Sequence, residues 1–186
     1  EMTEERREAI LQNESGQGSP PSYTHFVNGH KVDKWRLSLG EDALNMPKVT
    51  IKTVEWGTNE SLIKAIRIPV FVEEQNVPYD LDFDEFDQVA SHWIAYSKNI
   101  YPVATVRLLA DGHVGRMAVL KEHRRQGIGR MLILAVLDFA HETKMSKIFL
   151  HAQLPARAFY ERVGFVAYGN VFVDANIDHI AMELSI

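Results

Sequence analysis

The chain has 186 residues, 46% hydrophobic and 24% charged, which suits one globular domain plus an extension. Lys and Arg number 20 against 25 Asp and Glu, and the net charge of −5 argues against nucleic acid or an anionic membrane as partner. With no cysteine, disulfides, thiolate metal sites and a cysteine nucleophile are excluded; the eight histidines show no H-x-H or H-E-x-x-H spacing, so no metal site is expected.

Residues 1–48 read as an N-terminal extension. Its start, Glu1 to Arg7, is too polar for a signal peptide. No apolar run approaches the roughly 20 residues of a membrane helix, so the cytoplasm is the expected location. Glu4 to Leu11 predicts a short charged helix, and Asn13 to Ser22 a Gly/Ser/Pro linker. Tyr23–Val27 and His30–Leu39 flank Asn28-Gly29, a hairpin signal because both turn residues take positive φ. Two strands alone are marginal in water. This hairpin is therefore expected to pack on the main domain or on a partner chain, with a homodimer as one candidate.

Residues 49–186 form the main domain. Val49–Val54 alternates as a strand. Asn59–Val72 has helical spacing at Leu62, Ile63, Ile66 and Val70, with Pro69 expected to kink or end the helix. Val77–Asp87 reads as an acidic loop with aromatics. Strands are predicted at His92–Ser97, Pro102–Leu109 and His113–Leu120, the last two joined at Asp111-Gly112. Gly127–Thr143 is an apolar helix, Lys147–His151 a strand and Pro155–Val163 a short helix. Phe165–Val173 and His179–Leu184 close the chain as strands. Meander strands with interleaved helices imply a mixed, mostly antiparallel sheet covered on both faces.

The most informative segment runs from Val114 to Leu134. A strand enters the turn Arg124-Arg125-Gln126-Gly127-Ile128-Gly129-Arg130, and a helix follows at once. Free N–H groups at a helix start bind anions. Gly127 and Gly129 let the backbone approach a phosphate, and Arg124, Arg125 and Arg130 add positive charge. A dinucleotide fold would want G-x-G-x-x-G, and a P-loop G-x-x-x-x-G-K-[ST]; neither is present. The pattern Arg124-x-x-Gly127-x-Gly129 instead matches the R/Q-x-x-G-x-G/A motif of the GCN5-related N-acetyltransferases. Downstream, Gln153-Leu154-Pro155-Ala156-Arg157-Ala158-Phe159-Tyr160-Glu161-Arg162-Val163-Gly164-Phe165 resembles that family's N-x-x-A-x-x-F-Y-x-x-x-G-F signature, with Gln153 where Asn is usual. Phe71–Pro78, Asp82–Asp87 and Phe172–Ile180 are similar to the ElaA/YjcF-type subgroup.

The resemblance covers about residues 49–186. It implies an α+β, three-layer α/β/α architecture, the acyl-CoA N-acyltransferase fold, with six or seven strands splayed between the fourth and fifth. It also implies acetyl-CoA as cosubstrate, with no metal, and an amine as acceptor. The 124–130 turn, Gln153 and Phe159 would bind it. Backbone amides near Met117, Ala118 and Val119 would face the thioester. Tyr160 is the candidate general acid, since a tyrosine O–H held near a departing thiolate can protonate it. The strand Glu that many relatives use as base is replaced here by Gly115 and Arg116. Glu73, Glu74, Glu85, Asp87 and His151 stay open as bases, and Glu73 and Glu85 are carried as acceptor-side residues.

A two-residue turn at Asp111-Gly112 would set Arg107 opposite Arg116, a like-charge pair that a sheet tolerates when an anion sits between. Either the acids of Asp82–Asp87 supply that anion, or the acceptor does. Beside the enzyme, two other readings stand: an acetyl-CoA-binding module without catalysis, and a protein lysine acetyltransferase that docks its target through the N-terminal hairpin.

Overall fold

The computed structural model describes residues 25–27, 30–32 and 49–186. The chain divides into two units, Glu1–Met46 and Pro47–Ile186. In the first, β1 (His25–Val27) pairs antiparallel with β2 (His30–Val32), Val27 opposite His30, as the Asn28-Gly29 signal predicts. The expected helix at Glu4–Leu11, the linker at Asn13–Ser22 and the outer hairpin residues lie outside the described residues.

The second unit is built on seven strands. β3 (Val49–Val54), β4 (Ser91–Ser97), β5 (Tyr101–Leu108) and β6 (Val114–Val119) form an antiparallel meander. β7 (Lys147–Gln153), β8 (Val166–Asp174) and β9 (Ile177–Ser185) form a second group in the order β7-β9-β8. The groups meet through a single parallel bridge, His113 to Phe149, where the Phe149 amide donates to the Gly112 carbonyl at 2.9 Å. Beyond that bridge β6 and β7 diverge. This is the splay between the fourth and fifth strands of the domain, and with the flanking helices it gives the expected α+β layers.

β4 is buried on both faces because a helix covers each. Ile94 and Tyr96 pack against Ile63 and Ile66 of α1 (Trp56–Arg67). On the opposite face Trp93 meets Phe139 edge-on at 5.3 Å. Phe139 belongs to α3 (Ile128–Glu142), whose Met131, Leu132, Ile133 and Val136 are fully buried.

The α-helix ends just before Pro69, as expected: α1 runs to Arg67 and gives way to a π-helix over Ile68–Glu74. Proline lacks the amide and crowds the carbonyl four residues back, and a wider turn relieves both. The acidic loop differs from the sequence reading. It contains a helical turn, α2 (Tyr79–Asp82), and a 3₁₀ turn at Glu85–Gln88 closed by reciprocal Asp84 and Asp87 caps. Asp82 and Asp87 are buried. Arg67, fully buried, donates from Nε to Asp82 at 3.1 Å and from Nη1 to Asp87 at 2.8 Å, and also reaches the Asp82 carbonyl.

The β5–β6 register differs as well. The Leu109 amide donates to the His113 carbonyl at 2.9 Å, so the turn has three residues. Arg107 pairs with Gly115, and a bulge follows where Arg116 takes φ +51°. The anion between the two arginines is Asp84: Arg107 donates to it at 2.6 Å and 3.2 Å, and Arg116 at 3.1 Å. Arg116 also donates to the Leu81 and Asp82 carbonyls, each at 2.9 Å. The acid-cluster reading is the one the structure holds.

Three substitutions check this account by their effect on stability. Gly112→Ala should cost roughly 2–3 kcal/mol in urea unfolding, since φ is +91° and the new Cβ would lie 2.7 Å from the Lys147 carbonyl oxygen. Gly57→Ala in α1, where an added Cβ meets nothing within 4 Å, should be neutral or stabilising by up to about 1 kcal/mol. Arg67→Met should cost about 3–5 kcal/mol, because Asp82 and Asp87 would stay buried without their shared partner. A loss under about 1 kcal/mol would show that the network does not hold the segment in place.

Candidate active site

The divergence of β6 and β7 opens a cleft of about 340 Å³. His113 and the start of β6, Val114 to Met117, line it, and β7 contributes Leu150, His151 and Gln153. The π-helix and α2 region adds Phe71, Gln75, Val77 and Asp82, and the β8–β9 turn adds Asp174, Ile177 and His179. Tyr160, from α4 (Arg157–Glu161), closes one wall. The three segments that carry the subgroup likeness therefore converge on one cleft.

The gap has free backbone donors along its edges. The Phe149 amide points across the junction to Gly112, so with the pleat's period of two the amides of His151 and Gln153 point into the gap. On β6 the Leu120 amide donates to the Val103 carbonyl. By the same alternation the Ala118 amide turns toward Thr105 of β5 and the Val119 amide toward the gap. Met117 follows the bulge and lines the cleft. Of the three amides expected to face a thioester, Ala118 is therefore turned away.

The turn after β6 ends on Gly127, left-handed at φ +80°, as the N-cap of α3. The first helical amide to find a backbone acceptor is Met131, on the Gly127 carbonyl at 3.1 Å. The amides of Ile128, Gly129 and Arg130 precede it and project from the helix end. The Ile128 side chain is buried in the core, so that residue offers its backbone alone. Arg125 is exposed and Arg130 half-buried; Gln126 donates to the Glu122 carbonyl at 3.1 Å. Gly129 sits where an added Cβ would touch Phe159 at 3.5 Å and Met117 at 3.8 Å, which ties the helix start to both the cleft and α4.

Arg124 differs from its two arginine neighbours. Both terminal nitrogens donate to Glu74, each at 2.7 Å, and Nε donates to the Val119 carbonyl at 2.9 Å. The Arg124 hydrogen bonds hold the Glu74 carboxyl below its ordinary range. Gln153 donates to Gln75 across the cleft at 2.7 Å.

Tyr160 is buried, with ring contacts to Phe159 at 4.9 Å and Phe165 at 5.7 Å, and burial pushes its phenol well above the ordinary tyrosine range. Its hydroxyl therefore stays protonated at neutral pH. His113 stacks on Phe149 with centroids 4.9 Å apart and lies 5.2 Å from His151. Burial first, then the neighbouring His151, lowers the His113 pKa. His179 Nδ1 is 2.8 Å from the Ile177 carbonyl.

Several expected site residues lie elsewhere. Arg107 is buried, off the cleft, and committed to Asp84 and Asp87; its Nε is a buried nitrogen without a partner. That removes it from the acceptor side. Arg116 does line the cleft, with its guanidinium held by the α2 segment. Glu73 and Glu85 are exposed and outside the cleft lining, and Asp87 is buried on Arg67 and Arg107. Gln75, His113 and His179 were not singled out as site residues. Gln75 and His179 fall inside the subgroup-like segments, whereas His113 carries no sequence signal beyond its residue type. Among the described residues no group of three or more His, Asp or Glu is arranged to hold a metal ion, and no helix is long and apolar enough to cross a membrane.

This geometry has counterparts among known proteins. Residues 70–186 match the family model for the acetyltransferase (GNAT) domain. The chain is 36% identical over 121 residues to a Bacillus subtilis protein named uncharacterized N-acetyltransferase YjcF, covering 63% of this chain and 86% of that one. It is 32% identical over 140 residues to YyaT of the same organism, covering 72% and 93%. Among solved structures, an acyl-CoA N-acyltransferase from Pseudomonas aeruginosa superposes with a TM-score of 0.62 at 30% identity, covering 73% of this chain and 97% of that one. Escherichia coli ElaA gives 0.65 at 26% identity, covering 73% and 98%. The splayed sheet, the glycine turn at the start of α3 and these likenesses together establish that the chain belongs to the GNAT family of acyltransferases.

Proposed function

We propose that the protein moves the acetyl group of acetyl-CoA directly onto a primary amine of a small molecule. The observation that carries this reading is that Tyr160 lines a gap between two diverging strands, β6 and β7, and that the α3 start packs beside it through Met117 and Phe159.

Each part of acetyl-CoA has a matching feature. The pyrophosphate suits the amides of Ile128, Gly129 and Arg130 with the charges of Arg125 and Arg130. The amide-rich pantetheine arm suits a strand-like partner, and the amides of His151, Gln153 and Val119 offer one. Acetyl-CoA supplies an activated carbonyl with a thiolate as leaving group. The Met117 backbone, which follows the bulge and lines the cleft, is the candidate donor to developing oxyanion charge. Tyr160 would give its proton to the thiolate. A thiolate buried in the same cleft is also a stronger base than in water, which narrows the gap between the two pKa values. The chain has no cysteine to carry an acyl group, which favours direct transfer. A cleft of about 340 Å³ suits a small acceptor.

Calorimetric titration of acetyl-CoA, with CoA release followed by a thiol reagent in the presence of amines, tests the reading. The cysteine-free chain gives no thiol background. Binding with amine-dependent release is expected. Binding without release across the amines would mean a module that holds the thioester and does no chemistry, and absence of binding would remove the whole reading. Tyr160→Phe should keep acetyl-CoA affinity within about twofold and lower kcat by roughly 10²-fold. An unchanged kcat would assign the proton to another donor.

A further inference from the structure

Acylation of an amine at neutral pH needs a base, because a free alkyl ammonium has a pKa near 10.4. The sequence leaves five candidates, and the structure separates them. Glu73 and Glu85 are exposed and outside the cleft. Both Glu74 oxygens accept from Arg124. Asp87 is buried between Arg67 and Arg107. His151 remains: it is exposed and lines the cleft, on the strand whose amides face the gap. We propose that His151 is the general base that takes a proton from the incoming ammonium group of the acceptor; this rests on the acyl-transfer reading above.

The other titratable groups that face His151 are less suited. His113, on β6, is stacked on Phe149 and has the larger burial. His179, on β9, is committed to the Ile177 carbonyl and stacks against Phe172 at 5.9 Å. Asp82 is held by Arg67 and Arg116. Arg116 carries no lone pair to accept a proton, and Tyr160 is protonated. Asp174 is exposed at the end of β8, and β9 separates that strand from β7; a carboxylate is also a weaker base toward an ammonium than an imidazole. Packing fixes the His151 ring, with His113 at 5.2 Å on one side and Phe172 edge-on at 5.0 Å on the other. Burial first, and His151 itself second, disfavour a charge on His113, so a second imidazolium beside His151 is disfavoured.

The protons balance. The ammonium gives one proton to His151 and becomes an amine, whose nitrogen forms the new bond to the acetyl carbon as the carbon–sulfur bond breaks. Tyr160 protonates the thiolate. The second proton shed by the nitrogen restores the phenol, and the imidazolium returns its proton to water.

The test compares wild-type protein and His151→Gln with spermidine, tyramine and lysine methyl ester as acceptors. His151→Gln should bind acetyl-CoA with the wild-type Kd within about twofold by calorimetry. Its kcat/KM for the acceptor should fall roughly 10²-fold at pH 7. The deficit should narrow toward pH 9, as more of the acceptor arrives deprotonated, and added imidazole should restore part of the rate. A deficit equal at both pH values and untouched by imidazole would make His151 a structural residue and overturn the proposal. So would a variant within about threefold of wild type. Wild-type protein that releases no CoA with any of the three amines would overturn the acyl-transfer reading, and the base with it.

Discussion

A single bridge between two groups of strands sets the chemistry of this molecule. His113 and Phe149 join β6 to β7 at one point, and there Gly112 turns with a φ of +91° that leaves its α-carbon against the Lys147 carbonyl. Past that point the strands part, and backbone groups that would complete a ladder are left to solvent or to a ligand. Buried peptide groups must find partners, so a sheet can be opened in its middle only where something polar and extended takes the place of the missing strand. The same opening gives Tyr160 and His151 access to a common space.

One wall of the opening leaves much of its apolar surface in solvent. α2 and the 3₁₀ turn after it expose Tyr79, Leu81, Phe86 and Val89 to solvent. What fastens them is charge: Arg67, Arg107 and Arg116 against Asp82, Asp84 and Asp87, three of each sign. The first arginine comes from a helix, the second from β5 and the third from the bulge of β6, so the segment is tied to three elements at once. An equal count keeps the buried charge neutral, which is the condition under which such a cluster is tolerable. Desolvation still outweighs the arginines at Asp82, whose carboxyl sits above the ordinary aspartate range, whereas at the less buried Asp84 the arginines prevail and hold the carboxyl low.

What could be read from the sequence was what is local. The succession of elements along the chain, the pairing of β1 with β2, the glycine turn before α3 and the Phe159-Tyr160 motif are each specified within a few residues of chain. The Arg107–Arg116 register was not. It depends on whether Asp111-Gly112 sits in a two- or a three-residue turn, and on a bulge that returns the pairing to another frame. The pairing of the Asp82–Asp87 acids with Arg107 and Arg116 was legible as one alternative, but the burial of Asp82 and Asp87 on Arg67, 15 and 20 residues away, was not. His113 and His179 are isolated histidines in sequence, brought to one cleft only by the strand order β7-β9-β8 beside β6.

Arg124, a residue of the turn motif, spends its side chain on contacts within the fold. Its guanidinium spans from the Val119 carbonyl, at the end of β6, to Glu74, at the end of the π-helix. Both of its terminal nitrogens are taken by one carboxylate, the bidentate geometry in which arginine binds most strongly. The pair neutralises itself, so the positive field at the α3 start comes from the projecting amides and from Arg125 and Arg130. Its mechanical consequence is larger. The turn that precedes α3 and the end of the π-helix over Ile68–Glu74, which lines the cleft through Phe71, are tied to each other by one ion pair.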